Sequence, residues 1–393
     1  MSFVPFSFGP TTRVAFGVDR TARLGKDVIA LVGEGAAVLL VADPGIAKAG
    51  LAGEVEQVLT KTGCKVGLFT DVRSDPLGSQ VDGAAEAARS LGAKAVIGLG
   101  GGSTLDTAKF AAAIATAEKP ADHYGLAVNP LPPRGLAKIC LPTTAGTGSE
   151  TTRVSVFTNG TDEKVWAWGD ELRADLALLD PKLTVGLPPL LTAATGVDAL
   201  VHAIEAATIR RANVMNDSVC LQAIRLVVRH LKRAVEAPDD LAARGGMQIA
   251  AALAGVAIDN SGTGIAHAMG HALGAIGHVH HGRAVGLCLR AALDWNAEAD
   301  PTRHAWVAEA MGVPAEGRTV EETARELAPA FDRFLRDVGL PISLAGDGLS
   351  AADAPRLAAV TMAPENKAMR DANIREIQVE DAERIAANVL SAA

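Results

Sequence analysis

The sequence has few aromatic residues, a single Tyr and four Trp, and aromatics make up 4% of the chain. It has no excess of positive charge either, because 37 Lys and Arg face 45 Asp and Glu for a net charge of −8. Nucleic-acid binding needs a positive field and, on single strands, stacking platforms, so no nucleic-acid partner is expected. Cysteine is scarce and scattered. Cys64, Cys140, Cys220 and Cys288 include no CxxC pair, which removes both a disulfide framework and a thiolate zinc site. The longest apolar run, Ile249 to Ile258, is far short of the roughly 20 residues that cross a bilayer. No basic residue precedes Arg13 and no apolar signal segment follows the start, so no signal peptide is expected. These absences lead us to expect a soluble cytoplasmic protein with no membrane partner.

What the chain does have is apolar mass and glycine: 49% hydrophobic residues, 40 Gly and 19 Pro in 393 residues. At about 150 residues per domain, that length suggests two or three domains. As far as residue 185, short Val/Leu/Ile-rich runs at 36–42, 65–70, 94–100, 137–142 and 176–180 alternate with segments of helical length. Such alternation predicts a mostly parallel sheet wrapped by helices. Beyond Pro188-Pro189 the runs become Ala/Leu-rich and helical, at 189–207, 212–235, 238–257, 262–276, 282–298, 302–311, 319–337 and 379–391. The expected organisation is therefore an α/β, Rossmann-like domain over 1–185 and an all-α domain over 186–393.

Two loops in the first half carry a chemical signal. In GLGGGSTLDTAK (98–109) glycines stand between a strand and a helix. There the backbone N–H groups and the helix dipole can receive a phosphate. PTTAGTGSE (142–150) is a second small, hydroxyl-rich loop after a strand. It reads as part of the same ligand crevice or as the cap of a helix beginning near Glu150. Asp43 ends another strand, where an acid can bond a ribose 2′-hydroxyl. The usual fingerprint places that acid about 20 residues after the glycine loop, not before it. The residues alone leave a turn-forming Asp-Pro-Gly as the other reading.

In the second half, five of the nine histidines fall within HAMGHALGAIGHVHH (267–281). His267 and His271 are four apart and so share a helical face, as do Asp198 and His202 in GVDALVHAIE. Two helices offering ligands at i and i+4, with one more histidine from the turn, can surround a divalent metal. Spacing does not choose among His278, His280 and His281. His267 is followed by Ala268 rather than Glu, so this is not the HExxH of zinc proteases. His123, His230 and His304 have no partners in pattern and are expected to be ordinary structural residues.

GGGSTLDTAK, PTTAGTGSE, LLDPKLTVGLP, ATGVDALVHAIEA and HAMGHALGAIGHVHHG follow one another in an order that resembles the iron-containing (group III) alcohol dehydrogenases. The resemblance runs through essentially the whole chain. It implies a dinucleotide-binding N-terminal domain, a metal-holding helical C-terminal domain and an NAD-linked, reversible hydride transfer between a small alcohol and its aldehyde or ketone. By motif position it implies metal ligands Asp198, His202, His267 and His281, for iron(II) with zinc as the alternative. It makes His271 the proton-transfer residue beside the metal. The implied NAD contacts are Asp43, Gly100, Gly101, Gly102, Ser103, Asp106, Thr143, Thr144, Thr147, Ser149, Lys164 and Leu183, and an acid at position 43 implies NAD over NADP. A homodimer or larger homo-oligomer is also expected.

The chain departs from the family pattern at Asp75-Pro76, where Asn-Pro is common, at Ile258 in a Phe position, and at Asn373-Ile374-Arg375. Pocket shape and substrate are therefore not fixed by the resemblance. Two rival readings are an enzyme of the dehydroquinate synthase or glycerol-phosphate dehydrogenase type and a non-enzymatic NAD- or metal-binding protein. The first needs a cationic cleft for an acidic substrate, whereas only Arg210, Arg211 and Arg283 stand near the metal motifs. The second would show no turnover with metal loaded.

Overall fold

A computed structural model describes residues 5–9, 11–133 and 135–391. Two compact units form, one of Pro10–Thr144 and Gly148–Gly186, the other of Met1–Gly9, Ala145–Thr147 and Leu187–Ala393. In the first, the strands are β1 (Val14–Phe16), β2 (Ala37–Ala42), β3 (Lys65–Phe69), β4 (Ala95–Gly100), β5 (Ala137–Pro142), β6 (Val154–Thr158), β7 (Lys164–Trp168) and β8 (Leu176–Leu179). Its helices are α1 (Leu24–Val32), α2 (Pro44–Lys48), α3 (Leu51–Lys61), α4 (Gly78–Leu91) and α5 (Gly102–Ile114). Six strands form one sheet in the order β1-β8-β5-β4-β2-β3, every pairing in it parallel.

The central strands read as unbroken apolar runs because both faces of the sheet are covered. Val38 and Leu40 join Leu24, Val28 and Leu59 in one core, while Leu39 and Val41 join Ala108 and Ala112 in another. The chain leaves β2 for β3 on one side and returns to β4 on the other, so adjacent strands β2 and β4 flank a reversal of strand order. Ligands in open α/β sheets bind at the carboxyl ends of strands beside such a reversal. Asp43 follows β2 and the glycine loop follows β4.

Three details of this unit depart from the sequence reading. The loop at 142–150 does not open a helix, because Ser149–Thr151 forms only a single 3-10 turn. The chain then makes an antiparallel hairpin, β6 with β7, around Asn159-Gly160. Strand β1 was also unforeseen.

The second unit has no strand among its described residues. It contains α6 (Pro189–Thr208), α7 (Val214–Glu236), α8 (Leu241–Ser261), α9 (Ile265–Gly277), α10 (His281–Ala297), α11 (Pro301–Ala310), α12 (Val320–Arg325), α13 (Leu327–Asp337), α14 (Ala354–Thr361), α15 (Lys367–Ala372) and α16 (Val379–Leu390). The segment 319–337, expected as one helix, is two. Pro329 cannot donate to the Arg325 carbonyl and its ring crowds that group, so the chain breaks at Glu326. Helices α14 and α15 were not anticipated. By length and composition α6 and α8 could each cross a membrane, with hydropathies of 1.3 and 1.5. This corrects the expectation that no segment could. In this fold 83% and 61% of those windows are buried inside the protein, as suits core helices. Helix α6 packs against α7, α8 and α10 and is buried on nearly every side.

Candidate metal and cofactor sites

In the middle of α6 a carboxylate follows buried Val197 and precedes buried Ala199 and Leu200, and burying it costs several kcal/mol unless something compensates. Asp198 is 2% exposed, and His202, one turn later, is 5% exposed. His267 comes from α9 and His281 from the first residue of α10. One ligand atom from each of the four lies within 4.8 Å of the others. Asp198 Oδ1 is 3.8 Å from His202 Nδ1, 3.9 Å from His267 Nε2 and 3.5 Å from His281 Nε2. Asp198 Oδ1, His202 Nδ1 and His267 Nε2 are buried with no hydrogen-bond partner. Three unsatisfied polar atoms converging on one point are expensive in a protein interior, and a divalent cation would satisfy all of them at once.

Burial holds the His202 imidazole down at about 4. It is therefore neutral near pH 7 and has a lone pair to give. The approach of α10 to α6 depends on Gly282, since a Cβ there would lie 2.1 Å from the Ala194 carbonyl oxygen. Of the three histidines in the turn, His281 belongs to the cluster, while His278 and His280 are exposed. His278 caps α9 in the left-handed conformation. His271 is half-buried and flanks the cluster, its ring 6.3 Å from that of His267 and 5.4 Å from that of His281.

Sequence reading passed over Glu205. It is 3% exposed, and its carboxylate lies 2.5 Å from His267 Nδ1 and accepts the Ala266 N–H at 2.7 Å. The signal was present, because Asp198, His202 and Glu205 stand at i, i+4 and i+7 on one helical face.

At the ends of β2 and β4, Asp43 Oδ1 accepts the N–H groups of Gly45 and Ile46, capping α2. Its other oxygen accepts from Thr104 Oγ1 at 3.4 Å. Asp43 is thus a turn-forming residue that also faces the glycine loop. No side chain caps α5 at Gly101. A Cβ at Gly100 would sit 2.5 Å from Thr104 Oγ1, and one at Gly101 would sit 3.3 Å from the Thr144 side chain. The loop at Gly100, Gly101, Gly102 and Ser103 is therefore a bare backbone cradle at a helix N-terminus, suited to an anionic group.

Thr143 N–H bonds the Gly100 carbonyl, which brings the second loop beside the first. Asp106 and Ser149 bond each other at 2.5 Å. Lys164 pairs with Asp75 at 2.6 Å, the departure from Asn-Pro that the sequence flagged. Leu183 is buried in the 3-10 turn Pro181–Thr184. Thr147 lies in Ala145–Thr147, which belongs to the helical unit.

Residues 10–181 match the iron-containing alcohol dehydrogenase family, and residues 192–390 match the C-terminal part of the Fe-containing alcohol dehydrogenase family. The chain belongs to that family. It is an NAD-dependent alcohol oxidoreductase, and the rival readings fall away. A sulfoacetaldehyde reductase of Bilophila wadsworthia is 34% identical over 91% of this chain and 92% of its own. Long-chain-alcohol dehydrogenase 1 of Geobacillus thermodenitrificans is 36% identical over 89% and 88%. Among solved structures, sulfoacetaldehyde reductase from Bifidobacterium kashiwanohense, in complex with NAD+, superposes with a TM-score of 0.89 at 28% identity. It covers 99% of each chain. Relatives this similar act on chemically different compounds, so family membership does not identify the substrate.

Proposed function

We propose that this dehydrogenase interconverts a small alcohol and its aldehyde or ketone with NAD, using one divalent metal, iron(II) or zinc, held by Asp198, His202, His267 and His281. The observation that carries the reading is the set of three unpartnered buried atoms in the helical unit. When bound, a divalent ion there supplies Lewis acidity to an alcohol oxygen and the nicotinamide supplies the hydride acceptor. One carboxylate and three imidazoles leave a net positive charge on such a cluster, which favours an oxyanion over a neutral hydroxyl.

His271 is half-buried beside the cluster and would move the hydroxyl proton outward. Four ligands already leave no need for a fifth, and catalytic sites keep a position open for substrate. The glycine loop with Ser103, Thr143 and Thr144 would orient the cofactor's pyrophosphate, and Asp43 its adenosine ribose. Asp106, Thr147, Ser149, Lys164 and Leu183 would complete its surroundings. In this reading residues 1–185 serve the dinucleotide and 186–393 the metal. Cytoplasmic action belongs to the same proposal, and so does a homodimer or larger oligomer. Oligomerisation is supported by Val14 and Phe16, which are 46% and 48% exposed on edge strand β1.

The test is an anaerobic screen of small alcohols and aldehydes with NAD and NADP, on stripped protein reloaded with Fe2+ or Zn2+. We expect one metal per chain and turnover only when it is loaded. Undiminished turnover of the stripped protein would end the metal reading. Replacing each turn histidine by alanine should cost bound metal at His281 and spare it at His278 and His280. Loss at His280 alone would reassign the ligand.

A further inference from the structure

We propose that Glu205 is a positioning residue that fixes His267 in the tautomer whose Nε2 lone pair faces Asp198. The proposal rests on reading Asp198, His202, His267 and His281 as a metal site. The side-chain bonds of Glu205 go to Ala266 and His267, so it acts on the site through His267.

Both oxygens of the buried carboxylate are committed to residues of α9. One accepts the Ala266 N–H at 2.7 Å and the other lies 2.5 Å from His267 Nδ1. A carboxylate only accepts hydrogen bonds, so the imidazole proton sits on Nδ1. Nε2 is then left with its lone pair, 3.9 Å from Asp198 Oδ1 and with no hydrogen-bond partner. A histidine that donates its far nitrogen to a carboxylate is held in one ring orientation, and its metal-facing nitrogen is more basic.

The same carboxylate also acts as a cap supplied from another helix. Helix α9 begins at Gly264 without a side-chain cap. A Cβ at that position would meet Asn373 Oδ1 at 3.0 Å and the Glu205 oxygen at 3.1 Å. The free N–H groups and positive dipole of a helix start favour a carboxylate there. Asn373 accepts the preceding Ile265 N–H at 3.4 Å. A cap alone needs one oxygen, and this geometry uses two.

That difference makes glutamine the informative replacement. Its single carbonyl oxygen can keep the Ala266 N–H, which turns the amide NH2 toward His267 Nδ1. An NH2 there drives the imidazole proton to Nε2 and blocks the lone pair. Glu205→Gln should therefore preserve the fold and the cap while losing control of the tautomer.

The experiment uses the full-length, metal-stripped protein with Co2+ alone as the probe. It reads affinity by chelator competition and ligand geometry by the visible absorption bands. We expect wild type to bind one Co2+ per chain. E205Q should bind about 10–100-fold more weakly with altered bands, at wild-type circular dichroism. Independently, 15N-histidine NMR of metal-free wild type, with the His267 signal identified by its loss in His267→Ala, should show the proton on Nδ1. A proton on Nε2 overturns the proposal even if E205Q does not fold. So does E205Q binding Co2+ within twofold of wild type with unchanged bands, which leaves Glu205 as a cap. If wild type itself binds no Co2+, the metal site falls and the role of Glu205 falls with it.

Discussion

Each unit buries a polar cluster, and the two treat their charges in opposite ways. In the α/β unit, Lys109 is wholly buried on α5, and its Nζ reaches the carbonyls of Ser149 and Val154 at 2.8 and 2.6 Å. It also pairs with Asp106 at 3.3 Å. The Asp106 carboxylate in turn accepts from Ser149 Oγ and from the Val156 N–H. In this network the polar groups answer one another, fastening the loop after β5 and the start of the hairpin to α5. The Asp198 cluster is as deeply buried yet leaves three atoms unanswered. The closed network holds the fold together, whereas the open one leaves buried polar atoms that no protein group answers.

The strongest way to break this comparison is to remove one charge from each cluster in metal-free protein. Lys109→Met removes the ammonium that pairs with Asp106 and holds the Ser149 and Val154 carbonyls, and should lower unfolding free energy by about 3–5 kcal/mol, measured by urea titration. Asp198→Asn removes an uncompensated buried charge, so its metal-free form should be as stable as wild type or more so, while metal binding is lost. Equal destabilisation by the two changes would show that the Asp198 cluster is not open.

The next effect comes from Glu150, buried beside the Lys109 network. Burial pushes its carboxyl up to about 7, against the pull of Lys109. The folded state therefore holds a proton that the unfolded chain has already released above the ordinary carboxylate range. The resulting stability is present at low pH and is lost as pH rises from about 4.5 through 7, on the order of 3 kcal/mol for a group this buried. Glu150→Gln should flatten that part of the stability-against-pH curve. An identical slope in the variant would mean that Glu150 does not titrate there.

Much of this contrast was legible in the sequence wherever a regular period governs the geometry. Asp198 with His202 and His267 with His271 follow from the turn of a helix, and so, unread, did Glu205. The doubly buried strands announced themselves as apolar runs bounded by Gly and Pro. What period does not govern could not be read. The histidine turn at 278–281 has no repeat, and the place of His281 depends on Gly282 packing against Ala194. Strand β1 is only three residues long, below what a pattern can signal. The hairpin of β6 and β7 alternates half-buried and buried residues and does not look like the core strands. The break before α13 was visible in Pro329 and was missed. Asp43 appeared on the wrong side of its glycine loop because strand order, which sequence spacing cannot show, places β2 beside β4.

His271 sharpens the comparison inside the open cluster itself. It lies on the helix that carries His267, but its ring stands off to one side. His271→Ala should keep most of the bound metal and lose about 100-fold in kcat, near 2.7 kcal/mol, or shift the pH–rate profile, as removal of a proton-transfer group does. Metal loss matching that of His267→Ala would make it a ligand. Normal metal with a normal profile would leave it a packing residue.

The smallest effect asks whether the Asp43 carboxylate belongs to a closed network or an open one. Its three hydrogen bonds, two capping α2 and one from Thr104, argue for closure. Its position at the reversal of strand order, beside the bare glycine cradle, argues for a ligand. The two roles separate by cofactor. A cap contributes about 1 kcal/mol to stability whichever dinucleotide is present. A carboxylate on the adenosine ribose bonds a 2′-hydroxyl and repels a 2′-phosphate. Asp43→Gly should therefore raise the NADP-to-NAD ratio of kcat/KM at least tenfold, about 1.4 kcal/mol of differential binding. Glycine is itself a tolerable cap, so the protein should stay folded and the ratio measurable. A lower Tm with an unchanged ratio would assign Asp43 to α2 alone.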